Sequence, residues 1–295
     1  MKSGSIRLYF AAAAGLSLLV FSAATVAAQT GGGRQRGAAN VPTGPAPRGA
    51  DGHPDLTGYW RDDGHANPHG NLGKDLPGFK LPFTPAGEAA HKYNVEHTVD
   101  PESLCIQGGL PREDVGDMGF QLLQTAGATA FLYQYGTFRV IPTDARRHSE
   151  DPDPTYFGEE IGSWDGDTFV IDSVAFKDTK TWADENADPH SDQLHTIERW
   201  TRSDAGHLHL ELTVEDPKFY TKPIHFQRTW VSAPGQVTRE QACNENNIDV
   251  SQGHLGFGPG PIRADGTRGY DDPAPLPPPP SASNPAKTIL PPGYK

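Results

Sequence analysis

The sequence predicts a mainly β protein: an antiparallel meander closed into a barrel or bent into a strongly curved sheet, with one short helix and disordered termini. Three observations carry this. Between residues 120 and 231, short runs rich in Val, Ile, Thr and aromatic residues alternate with turn signals. Several of these runs alternate apolar and polar residues with period two, most plainly His207–Glu215. Helical spacing is confined to one stretch, and strands joined by short turns favour an antiparallel meander.

The first residues lie ahead of that fold. Lys2 and Arg7 precede or open an apolar and small run from Phe10 to Val26, and Val26-Ala27-Ala28 offers small residues for cleavage. This is the pattern of a secretory signal peptide, residues 1–28. The run is short for a membrane span and no second one follows. The expectation is therefore a periplasmic or secreted chain with no stable membrane insertion after cleavage. Residues 29–50 are rich in Gly, Pro and Ala and read as a flexible leader. A single β-rich domain is expected over 51–250, followed by a Gly/Pro-rich tail over 251–295 with polyproline II or disordered character.

The formal net charge is −12, and loss of Lys2 and Arg7 with the signal leaves −14. So acidic a chain, with no basic stripe, excludes nucleic acid as a partner. Any anionic substrate needs a local cluster of arginines. The only cysteines, Cys105 and Cys243, are expected to pair as one disulfide in an oxidising compartment, which leaves no thiol for catalysis.

The helix is "TPAGEAAHKYNVEH" (84–97), with Thr84 as cap and Pro85 at the first position, running to about Val95. Strands are expected at 120–125, 129–136, 137–143, 161–164, 168–176, 194–202, 207–215 and 223–231. Asp165-Gly166 supplies one hairpin turn and Ser203-Asp204-Ala205-Gly206 another.

Period two assigns sides. Leu208, Leu210, Leu212 and Val214 face one way; His207, His209, Glu211, Thr213 and Glu215 face the other. A hairpin closed by residues 203–206 sets Arg199 opposite Leu210 and His195 opposite Val214, on the leucine face. It sets Glu198 opposite Glu211 and Trp200 opposite His209, on the polar face. An arginine among leucines cannot shed its charge and needs a partner or a bound anion; an ion pair at the rim, for instance with Asp172, is the plainer account of it.

Three chemistries could use these positions. His207-x-His209-x-Glu211 puts three possible ligands on one side of a strand, with His225 as a conceivable fourth. The spacing is not that of a cupin, and exposed polar alternation explains it, so no metal is expected. Ser191 beside His190 is sequence adjacency without a nucleophile elbow, and Ser191 suits a turn cap equally well. Acid–base work on a small molecule needs only a tuned histidine or carboxyl and a residue to hold the substrate. Residues 139–156 (Arg139, Arg146, Arg147, His148, Tyr156) and 188–199 (Asp188, His190, His195, Glu198, Arg199) offer two such clusters, able to converge at the mouth of a barrel.

The stretches "CIQGGLPR" (105–112), "FLYQYGTFRVIPTDARRH" (131–148), "GSWDGDTFVIDSVAF" (162–176), "PHSDQLHTIERWTR" (189–202), "EDPKFYTKP" (215–223) and "EQACNENN" (240–247) resemble a large group of exported bacterial proteins of mostly unassigned function. They mark a group rather than a reaction. Where that group's pattern reads Asp-Gly-Arg, this chain has Asp144-Ala145-Arg146-Arg147. The chain also resembles the cofactor-independent decarboxylases that act on lignin-derived phenylcoumaran acids. That resemblance implies loss of CO₂ coupled to ring opening, with a cation holding the carboxylate and an acid near the departing oxygen.

The expectation is thus an exported lyase that needs no cofactor and acts on a small aromatic carboxylic acid. Arg139 and Arg199 bind the acid, with His148, Tyr156 and Trp200 beside them; Tyr133 and Tyr135 are further rings able to stack. His190, His195 and Glu198 move protons. Two other readings stand beside it: a non-catalytic periplasmic binding or scaffolding protein, and a glycan-active hydrolase or lyase using Glu198 and Glu211.

Overall fold

The computed structural model describes residues 41–63, 70–134, 136–177 and 181–243. The expected signal peptide, the leader before residue 41, Tyr135 and the tail over 251–295 lie outside the described residues. Nine strands form one antiparallel sheet: β1 (Gly58–Asp62), β2 (Phe120–Gln124), β3 (Ala128–Tyr133), β4 (Phe138–Pro142), β5 (Glu159–Asp165), β6 (Thr168–Val174), β7 (His195–Arg202), β8 (His207–Glu215) and β9 (Ile224–Ser232). Their order is β4-β3-β2-β1-β9-β8-β7-β6-β5. Two meanders, β2–β4 and β5–β9, are joined by β1, which pairs with β2 on one side and β9 on the other.

The sheet is a nearly closed barrel, and its end strands β4 and β5 lie side by side. Side chains close that seam. Arg139 on β4 reaches Glu160 on β5 at 2.8 Å. Ile141 on β4 packs over Gly162 on β5, where an added Cβ would stand 3.0 Å from Ile141 and 2.7 Å from the Phe169 ring. Inside, Phe120 meets Trp200 and Trp230 edge-on, with ring centroids 5.6 and 4.9 Å away. Each fully buried side chain of this size contributes about 1.5–3 kcal/mol.

Of the strands, β1 is the one that sequence periodicity missed. "GYWRD" is five residues long with a single fully buried side chain, Trp60, too short for alternation to register. Residues 41–50, expected as leader, lie against the barrel: Ala205 N–H donates to Gly44 O at 2.9 Å, and Arg48 pairs with Asp167 at 2.6 Å.

The helix α1 (Pro85–His97) begins where expected, with Thr84 Oγ1 accepting from Gly87 N. Thr84 also fixes it to the β8–β9 turn, donating to Lys218 O at 2.7 Å. Gly87 is required there, since a Cβ would come within 2.2 Å of Phe219 O. A second, one-turn helix α2 (Arg112–Val115) is held across one end of the barrel by Arg228 of β9, whose Nη1 donates to Val115 O at 2.9 Å and to Gly116 O. Among the described residues no helix is long and apolar enough to cross a membrane.

Cys105 and Cys243 form a disulfide, Cα–Cα 5.6 Å, across 138 residues of chain. Closing so long a loop restricts the unfolded chain. Replacing both cysteines by serine should therefore lower the unfolding free energy by roughly 4 kcal/mol. A denaturant titration giving equal stability with and without the bridge would contradict this.

Candidate functional site

The β7–β8 register decides which residues face the interior. Arg199 pairs with Glu211, Glu198 with Leu212, His195 with Glu215 and Trp200 with Leu210. This is one residue away from the expected pairing and reverses every side on β7. Glu198 and Trp200 point into the barrel with the leucines, while His195 and Arg199 point out. The cause lies in the turn: Asp204 Oδ1 accepts from Gly206 N at 2.7 Å and His207 N at 2.9 Å, and this wider loop shifts the pairing.

The Arg199 side chain is 39% exposed and pairs with Asp165 at 2.7 Å. It is a solvated ion pair on the outer face, not a cation among leucines. His195 and His148 meet on that same face. Both direct Nε2 at Asp172 Oδ1, at 2.9 and 3.3 Å, while their Nδ1 atoms pair with Glu215 and Glu159. His207 and His209 turn to separate partners, Asp204 for the first and Ser203 and Thr229 for the second. Among the described residues no group of three or more His, Cys, Asp or Glu side chains is arranged to hold a metal ion. Glu211 is exposed on the outer face and Glu198 is buried within, so the sheet itself separates the two carboxylates required by the glycan reading.

Three predicted residues do come together. Arg139, 2% exposed, gives Nη1 and Nη2 to the two oxygens of Glu198, which is fully buried; Trp200 Nε1 donates to the same carboxylate at 2.7 Å. The guanidinium also lies 4.2 Å over the Phe131 ring. Around this pair stand carboxyls that periodicity had not singled out: Glu160, Asp114 at 3.9 Å from Arg139, and Glu113. Both Asp114 and Glu113 sit on α2, where four residues are too few to announce a helix.

One guanidinium cannot balance four carboxylates away from water, so three of them resist ionisation. Burial, reinforced by Glu198, raises Asp114 well above its ordinary value. Burial also pushes Glu160 up to about 7, with Arg139 opposing and Glu198 adding to the rise. Glu113 is pushed up to about 8, first by burial and then by the charge of Glu102, against the pull of Arg112, Arg139 and the Thr137 hydroxyl. Because both Arg139 Nη atoms already serve Glu198 and Glu160, this arginine does not hold an external carboxylate.

Glu113, 8% exposed, is where the centre meets a cavity. A space of about 370 Å³ is walled by Glu102, Ile106, Arg112, Glu113, Thr137 and the disulfide. Thr137 Oγ1 donates to Glu113 Oε1 at 3.3 Å. Arg112 gives Nε to Glu102 at 2.9 Å and Nη2 to Asp100 at 2.7 Å, while its buried Nη1 has no hydrogen-bond partner. The pairing of this cavity with a raised carboxyl is the usual mark of acid–base machinery.

His190 lies in a different cavity, of about 550 Å³, beside α1. Its Nε2 is 2.6 Å from Thr181 Oγ1. The loop carrying it is tied down at several points. Asp184 accepts from Leu72 N and Asn186 N, Asp188 pairs with His91 at 2.9 Å, and Tyr220 donates to Pro189 O at 2.6 Å. Ser191 donates to Asp216 at 2.9 Å and its oxygen accepts from Gln193 N, so it caps the turn. Tyr156 packs against the core with Lys177 Nζ 4.6 Å over its ring.

The raised carboxyls give a pH dependence of stability. In the unfolded chain Glu113 and Glu160 ionise near 4.5; in the folded chain they hold their protons to about 8 and about 7. Above about pH 4.5 the unfolded chain releases protons that the folded one keeps, so stability falls as pH rises and levels off beyond the folded values. The melting temperature should be lower at about pH 9 than at about pH 5.5; an equal or higher value at the alkaline end would contradict the placement of these groups. Comparison with known protein families, curated proteins and solved structures finds no match for the chain.

Proposed function

We propose that the protein is an exported acid–base enzyme, a cofactor-independent lyase that decarboxylates a small aromatic carboxylic acid in the cavity beside the Cys105–Cys243 bridge. The observation that supports this reading is Glu113: a carboxyl pushed up to about 8 at the wall of a cavity is a proton donor at neutral pH. Arg112 takes the role first expected of Arg139 and Arg199. Held in place by Asp100 and Glu102, its guanidinium supplies the positive charge at the cavity wall that attracts the substrate carboxylate.

The step balances without an oxidant. The bond from carbon to the carboxylate breaks and CO₂ departs. The electron pair left behind forms a carbon–carbon double bond and expels the ring oxygen, which takes the proton of Glu113. Glu113 then regains a proton from solvent. Arg139, Glu198 and Asp114 do not touch substrate; burial and the Glu102 charge keep the Glu113 pKa high, and Arg139 opposes them.

The purified chain, incubated with a panel of lignin-derived aromatic acids and with oligosaccharides, should convert an acid to a product lighter by one CO₂ in mass spectrometry, with EDTA making no difference. Affinity for the acids without any turnover would instead identify a binding protein. Cleavage of the oligosaccharides would overturn the lyase reading.

A further inference from the structure

We propose that the cavity beside α1 is a second ligand site, one that takes a neutral phenol whose ring lies among Tyr93, Trp182 and Phe219 and whose hydroxyl meets the His190–Thr181 pair. The three rings come from three separate elements: α1, the loop before β7 and the turn after β8. A volume of about 550 Å³ is that of a small-molecule site lined by apolar groups with a few convergent polar atoms. At its edge Tyr93 and Leu104 are 59% and 43% exposed.

Polarity selects the ligand. Among the described residues lining this cavity none is Asp, Glu, Lys or Arg. A carboxylate entering it would lose water with no cation in return, whereas a neutral hydroxyl needs only a hydrogen bond. His190, 6% exposed, and Thr181, 7% exposed, are buried polar side chains at the wall, 2.6 Å apart. An imidazole nitrogen or a hydroxyl can each donate or accept, so the pair matches a phenol in either sense. The 101–106 segment separates this site from the Glu113 cavity: Pro101 and Leu104 line the first, Glu102 and Cys105 the second, and Ile106 both. The two sites therefore differ in chemistry, an arginine and a carboxyl on one side of the segment and rings with a histidine on the other.

The test is calorimetric titration of the full chain with 4-ethylphenol and with 4-ethylbenzoate. The phenol should bind, and the benzoate should bind at least ~10-fold more weakly at this site. Ala90 lines the cavity from α1, so Ala90→Trp should fill it and abolish phenol binding without removing a buried polar group. His190→Gln should weaken binding about tenfold. Glu113→Gln should leave phenol binding unchanged, which separates this site from the lyase reading whether or not that reading holds. Absence of phenol binding, an equal affinity for the benzoate that Ala90→Trp abolishes, or undiminished phenol binding in Ala90→Trp would each overturn the proposal.

Discussion

Replacing Glu198 by glutamine is expected to cost about 3–5 kcal/mol of stability, because it strands the Arg139 guanidinium inside the barrel with its principal counter-charge removed. The substitution keeps the shape and leaves Glu160, at 2.8 Å, as the nearest acidic partner. It also leaves one acceptor oxygen where Arg139 and Trp200 now use two. The double replacement Arg139→Met with Glu198→Leu should recover most of the loss, as apolar side chains of similar size need no counter-charge. By contrast Arg199→Ala, which breaks a solvated pair with Asp165, should change stability by no more than about 0.5–1 kcal/mol. Urea titrations of the four proteins settle the matter. A small loss in Glu198→Gln, or a large one in Arg199→Ala, would mean that the sides of β7 have been assigned wrongly.

The second large effect concerns chemistry. On the proposed lyase reading, Glu113→Gln should reduce turnover of the aromatic acid by roughly 10²–10⁴-fold, the usual contribution of a positioned general acid, with little change in KM. In the proposed mechanism only the protonated carboxyl is active. Activity should therefore be full below the Glu113 pKa and fall above about pH 8. Burial raises this value first and the Glu102 charge adds to the rise, while Arg112, Thr137 and Arg139 oppose it. Glu102→Gln removes one negative neighbour and should move the alkaline limb of the profile to lower pH. A limb that stays in place in Glu102→Gln, or turnover that survives Glu113→Gln, would remove Glu113 from the proposed role.

Much of the scaffold could be read from the chain, and the reasons for the rest are physical. Eight of the nine strands announce themselves through β-branched and aromatic runs, and α1 through its Thr84-Pro85 start. The leucine face of β8 does point inward. The error arose at the Ser203–Gly206 turn. There Asp204 bonds the backbone two and three residues on, and a one-residue slip carried Arg199 to the wrong face. Local reasoning also sends a glutamate outward by default. Nothing near Glu198 reveals that a guanidinium from β4, 59 residues earlier in sequence, waits for it inside. The sequence offers Arg139, Glu198 and Trp200 as residues that touch substrate, whereas their common centre is sealed inside the barrel. Arg112 and Glu113 escaped notice because a one-turn helix has no periodicity to show and because their importance comes from three surrounding strands.

The measurement that bears most directly on the proposed site is a carboxyl titration by ¹³C NMR of the folded chain, with the Glu113 signal assigned through Glu113→Gln. Burial against neighbouring negative charge predicts a midpoint near 8 for Glu113. A midpoint near the ordinary 4.5 would show a solvated carboxylate at the cavity wall, and the general acid on which the proposed chemistry depends would not exist.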